Sequence, residues 1–211
     1  MKFATIALLG ILLLGSFATM QAAGPAGASQ VVIAYSGGSR STSDTTGICL
    51  WYPVLLGDLD LKSLFAGPLF GDPVVDKEHA YFIWVSDFTF QVLPTNKDFK
   101  GINFLGLALE GTGTIYFTNR PDLRDWRDWT NRSTWGEPVA KFIRRAGIFY
   151  SSDEGVSGPL TNTAELVSSS SFTLNGKTLN LKDLIPHGMT CYETAVGEAE
   201  TGTCFAVGPG L

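Results

Sequence analysis

From Ala80 to Val92 the even positions read Ala, Phe, Trp, Ser, Phe, Phe and Val, while the odd positions read Tyr, Ile, Val and then Asp, Thr and Gln. A period of two is the signature of a strand with one buried face. The odd face is apolar only at Tyr81, Ile83 and Val85. This strand is therefore expected to run from the interior out to a wetter rim, with a helix carrying Trp126, or a small ligand held between that helix and the sheet, covering the apolar patch.

Residues 102–118 alternate in the opposite parity, with Leu105, Leu107, Leu109, Ile115 and Phe117 on the inward face and Gly111 and Gly113 interrupting the stripe. A straight strand of that length would span about 55 Å, at about 3.3 Å per residue, which is wider than a domain of this size. The glycines are therefore expected to bend it. Over 164–181 an Asn175-Gly176 turn sets Phe172 opposite Leu179 and Ser170 opposite Leu181, and predicts a hairpin. Residues 139–150 predict a further strand, with Ala140, Phe142, Ala146, Ile148 and Tyr150 alternating around an interruption at Arg144. Shorter strands are expected at 31–35, 48–56, 189–195 and 203–207.

Between two of these strands, Asn119, Pro121 and Asp122 resemble a helix start, and Leu123, Trp126 and Trp129 recur at helical spacing. Arg124 and Asp128 fall four apart on another face. The predicted fold is all-β, a single antiparallel β-barrel or β-sandwich of roughly eight or nine strands with one short helix, since either closure limits exposed sheet edges.

The N-terminal segment changes the cellular context. Lys2, the apolar run 3–14 and the small residues around Ala22 to Ala28 predict a signal peptide over 1–28, cleaved after Ala22, Ala23 or Ala28. An apolar run of about 12 residues falls short of the roughly 20 needed to cross a bilayer. The expected mature protein is a secreted or periplasmic single domain over 29–211 with no membrane span. Loss of Lys2 takes the formal charge from −5 to −6. An acidic surface of that kind argues against nucleic acid and anionic membranes as partners.

All three cysteines lie beyond the leader, where disulfides persist. Cys191 and Cys204 flank a short loop and are expected to pair, whereas Cys49 sits in an apolar run and is expected to be buried. A zinc site built on His187, Cys191 and Cys204 is the alternative, but it lacks a fourth ligand, and neither metal nor organic cofactor is assigned.

Catalytic signals are sparse. The chain holds two histidines, His79 and His187, and no G-x-S-x-G elbow. His187 with Asp183 or Glu193 is the weak candidate for a cofactor-free hydrolase or isomerase. Asp87, Glu110, Glu137 and Glu165 are carboxylates that strands could bring together for glycoside chemistry. The leading expectation is a non-catalytic protein that binds a small apolar or sugar-like ligand. In that reading Trp129 and Trp135 line the mouth, Arg127 and Arg132 supply polar contacts, and Trp126 belongs to the core. A structural or protein-interaction module is the third reading.

Overall fold

The computed structural model describes residues 31–43, 46–61, 82–94, 104–125, 128, 130–152, 155–196 and 199–207. The leader over 1–28, His79, Tyr81, Trp126, Arg127 and Trp129 lie outside the described residues.

The strands are β1 (Val31–Ser41), β2 (Thr46–Leu56), β3 (Leu59–Asp60), β4 (Phe82–Pro94), β5 (Phe104–Phe117), β6 (Glu137–Ser152), β7 (Gly155–Ser169), β8 (Phe172–Leu174), β9 (Lys177–Leu179), β10 (Met189–Val196) and β11 (Ala199–Ala206), with one helix, α1 (Leu181–Leu184). The main sheet runs β1-β11-β10-β7-β6-β5-β4-β2-β3, and β1 also pairs antiparallel with β2. That second pairing closes eight strands into a barrel, with β3 as an appendage on β2. Closure decides between the two predicted architectures in favour of the barrel, because it removes both edges that the open sheet would expose.

Aromatic rings fill the middle of the interior. Tyr35 from β1, Trp51 from β2, Trp84 from β4 and Phe142 from β6 meet across the barrel, with ring centroids 4.9 Å apart for Tyr35–Trp51, 5.1 Å for Trp51–Trp84 and 5.8 Å for Trp84–Phe142. Trp84, Ser86 and Phe88 of β4 face inward, as the alternation predicts. Gly113 is part of the same packing, because a Cβ there would lie 2.9 Å from the indole nitrogen of Trp84. The two glycines of β5 thus serve close approach; the strand pairs continuously with β4 through both of them, and the irregularity falls at Leu109, where Thr89 faces Glu110 and Phe90 faces Ala108. Strand tilt in a barrel accommodates the length that the sequence assigned to a bend.

One end of the barrel is plugged. Asn175 and Gly176 both have positive φ, 51° and 77°, and turn β8 into β9 with Phe172 opposite Leu179 as predicted. The predicted hairpin is shorter than its sequence pattern, however. Ala164 and Leu166 belong to the barrel strand β7, and Leu181 begins α1 instead of pairing with Ser170. Phe172, Leu174, Leu181 and Ile185 then pack with Met189, Ile115 and Val139 across the barrel end. The serine run serves this joint: Ser169 Oγ donates to Asn180 Oδ1 at 2.7 Å, and Asn180 Oδ1 caps α1 by accepting from the Lys182 amide.

Cys191 and Cys204 stand directly opposite each other on β10 and β11 and form the disulfide, and Cys49 is free and buried. With both sulfurs in that bond, the zinc alternative loses two of its three named ligands. No helix among the described residues is long and apolar enough to cross a membrane.

Peptide mapping without reductant is expected to recover Cys191 and Cys204 in one linked species and Cys49 as a free thiol. Cys204→Ser should lower unfolding stability by roughly 3 kcal/mol, the loop-closure contribution for a ring of this size. An unchanged denaturation midpoint would contradict that role.

Candidate functional site

The tryptophan-rich segment is where prediction and structure part most clearly. It forms two 3₁₀ turns, Pro121–Leu123 and Arg132–Thr134, in place of the expected amphipathic helix. The predicted apolar residue Leu123 is 62% exposed, and the predicted surface residue Arg124 is 4% exposed. Arg124 is drawn in by Trp135: its guanidinium lies 5.0 Å from the indole centroid and its Nη1 is 3.4 Å from Tyr52 Oη. An arginine stem and a delocalised cation cover an aromatic face well. Burial lowers the Arg124 pKa, opposed by Tyr52.

Trp135 is 1% exposed and packs with Ile48, Leu50, Tyr52, Ile83 and Val85 on the outer face of β2 and β4. Trp135 therefore covers Ile83 and Val85, the place expected for the helix carrying Trp126, and it does not line an open mouth. Arg132, by contrast, holds Asp87 through Nη1 at 2.8 Å and Nη2 at 2.6 Å and faces a cavity.

That cavity, about 900 Å³, lies beside a stretch where β5 and β6 lack ladder pairing. Strands β5 and β6 pair over Phe104–Leu107 and again over Thr112–Phe117, but 108–111 and 144–147 carry no ladder pairing between them. Inward-facing Phe88 and Arg144 line the cavity alongside outward-facing Ile48, Asp87, Arg132 and Ile143, so it crosses the wall instead of lying on one face. Arg144 was read as an interruption of the β6 pattern. In the structure it continues the inward face, and the bulge at Arg145 then shifts the phase, which leaves Ile148 exposed. From β6 the Arg144 side chain reaches past β5 to β4, donating from Nη2 to Ser86 Oγ at 2.9 Å and lying 5.0 Å over the Phe88 ring.

Behind Arg144 the interior turns polar. Glu193 of β10 and Glu200 of β11 are both buried beside Tyr35 and Asn162. Their environments differ. Burial raises the Glu200 pKa, opposed by hydrogen bonds from Ser39 and from Trp51 Nε1 at 2.8 Å and by the charge of Arg144. Glu193 is pushed up to about 7, chiefly by burial and then by the Glu200 charge. Tyr35 and Asn162 lie alongside and oppose that shift, yet Tyr35 Oη, Asn162 Oδ1 and Glu193 Oε1 form no hydrogen bond of good geometry. Both carboxyls are thus raised by burial, and Glu193 is the one held near neutrality. Burial and the Glu193 charge likewise raise Tyr35, and burial and Glu200 raise Cys49.

The other predicted residues are scattered. His187 is exposed in a turn beyond the plugged end, Asp183 is exposed on α1, and Glu193 points into the barrel, so the three do not meet. Among the carboxylates considered for glycoside chemistry, Asp87 is held by Arg132 and Glu165 by Arg145. The pair that does converge, Glu193 with Glu200, was not grouped in the sequence reading. The signal for it was present: each falls on the inward phase of a short alternating strand, where an apolar residue is expected.

Glu193 holds its proton more tightly folded than unfolded, where the ordinary value is 4.5. Its contribution to stability is thus complete below that value and is lost as pH rises through about 7. The wild-type protein should therefore lose stability relative to Glu193→Gln across this window, on the order of 3 kcal/mol for a fully expressed shift. Denaturant titrations at a series of pH values measure the difference, and parallel curves for the two proteins would refute it. Comparison with family models, curated proteins and solved structures finds no match, and the chemistry of this site rests on its own geometry.

Proposed function

We propose that this is an exported, non-catalytic binding protein that takes a small, predominantly apolar molecule in the cavity beside the unpaired stretch of β5 and β6. The cavity carries the reading. Its volume lies within the several-hundred-to-1,000 Å³ range, roughly, that suits small organic ligands, and its lining combines Phe88, Ile48 and Ile143 with a few polar groups. Among the described residues the plugged end and the aromatic layer fill the interior elsewhere, which supports the same view. Of the residues expected to contact the ligand, Arg132 lines the cavity and Trp135 is committed to packing. Export is supported by the leader pattern together with the Cys191–Cys204 disulfide, a bond favoured in oxidising compartments.

Nile red, an uncharged apolar fluorophore, is expected to brighten on titration with the wild-type protein. Thr112→Trp should suppress that response, because Thr112 is an exposed residue on the cavity wall and a tryptophan there would occupy the space. Equal brightening by both proteins would place the binding elsewhere. The exported chain should begin after Ala22, Ala23 or Ala28 by intact mass, and recovery of only the uncleaved 211-residue chain inside the cell would contradict export.

A further inference from the structure

Three arginines line the cavity, and two of them are already engaged. Arg132 places both terminal nitrogens on Asp87. Arg145 donates from Nε at 2.8 Å, and again from Nη2, to Glu165 Oε2. Arg144 is different: Nη2 donates to Ser86, and Nε is enclosed with no acceptor. Among the described residues its Nη1 has no hydrogen-bond partner and is not enclosed, so this group is the donor that Arg144 offers to the cavity.

Resting on the reading that this cavity takes a ligand, we infer that the occupant is an uncharged apolar molecule that presents a hydrogen-bond acceptor, a carbonyl above all, to Arg144 Nη1. The charge distribution favours a neutral occupant, because Arg132 is paired with Asp87, Arg145 with Glu165, and Glu200 lies behind Arg144. A carboxylate would add a negative charge beside Glu110 on the cavity wall. Like charges in a part-buried space repel with little screening. A ligand cation would stand beside the Arg144 guanidinium. A plain hydrocarbon would strip water from Nη1 and return no acceptor, leaving a charged donor unsatisfied. A neutral carbonyl accepts the bond and leaves the balance between Arg144 and Glu200 unchanged. Its apolar body packs on Phe88, Ile48 and Ile143.

Calorimetric titration of the full chain with benzophenone, diphenylmethane and diphenylacetate separates these cases, since the three share an aromatic body and differ in the group they offer. Benzophenone should bind at least about tenfold more tightly than either of the others, the effect of one hydrogen bond to a charged donor. Arg144→Met should bring benzophenone down to the affinity of diphenylmethane while changing diphenylmethane itself by no more than about twofold, a small change on this scale. If Arg144→Met does not fold, because Glu200 has lost its counter-charge, the wild-type ranking alone decides. Diphenylacetate binding as tightly as benzophenone would overturn the inference in favour of an anion site. Equal binding of benzophenone and diphenylmethane would overturn it while leaving the cavity as a binding site. Binding of none of the three would overturn both.

Discussion

The pairing of β1 with β2 is the constraint on which the rest of this protein depends. It joins the ends of the sheet, so every inward-facing side chain of eight strands must share one enclosed volume. Close packing then has to be achieved by large residues arriving from opposite walls. Tyr35, Trp51, Trp84 and Phe142 meet that demand in the middle, and the hairpin β8–β9 with α1 meets it at one end. Among the described residues the interior is chemically divided as a result: an apolar part sealed by the plug, and a polar part that holds Glu193, Glu200, Asn162 and Arg144.

That polar part needs Arg144. Two buried carboxylates without a counter-charge would be strongly destabilising, since burial of an unpaired ion costs several kcal/mol or more. The solution is asymmetric. Hydrogen bonds from Ser39 and Trp51 offset part of the cost of burying Glu200, while Glu193 is left to hold a proton near neutrality. The same arginine reaches the cavity beside the unpaired stretch of β5 and β6, which ties that cavity electrostatically to the interior. The outer face of β2 and β4 shows the complementary use of an arginine: Arg124 covers Trp135 and is itself nearly withdrawn from solvent.

Alternation along single strands determined much of this before any tertiary information was used. It identified the inward face of β4, the expectation of a cover over Ile83 and Val85, the Phe172–Leu179 register around Asn175-Gly176, and an all-β class. Each of these depends on the side-chain period of two or on the backbone preferences of a turn, which are local properties. The pairing of Cys191 with Cys204 was legible for a similar reason, because a short strand-loop-strand brings the two residues opposite one another.

What only the tertiary structure decided depends on which strands become neighbours and on where the ladders slip. Barrel and sandwich have the same alternation, and a β1–β2 pairing is needed to tell them apart. The helical spacing of Leu123, Trp126 and Trp129 gave way in the described part of that segment, because Arg124 gains more from covering Trp135 than a few turns of isolated helix would gain in water. Arg144 interrupts an apolar stripe in sequence, yet it faces inward, since its charge is answered by Glu200 from the far side of the barrel. The grouping of Glu193 with Glu200 could be seen as two misplaced polar residues but not as a pair, and the four-residue parting of β5 from β6 leaves no trace in composition. Long-range pairing creates both, and single-strand patterns carry no information about it.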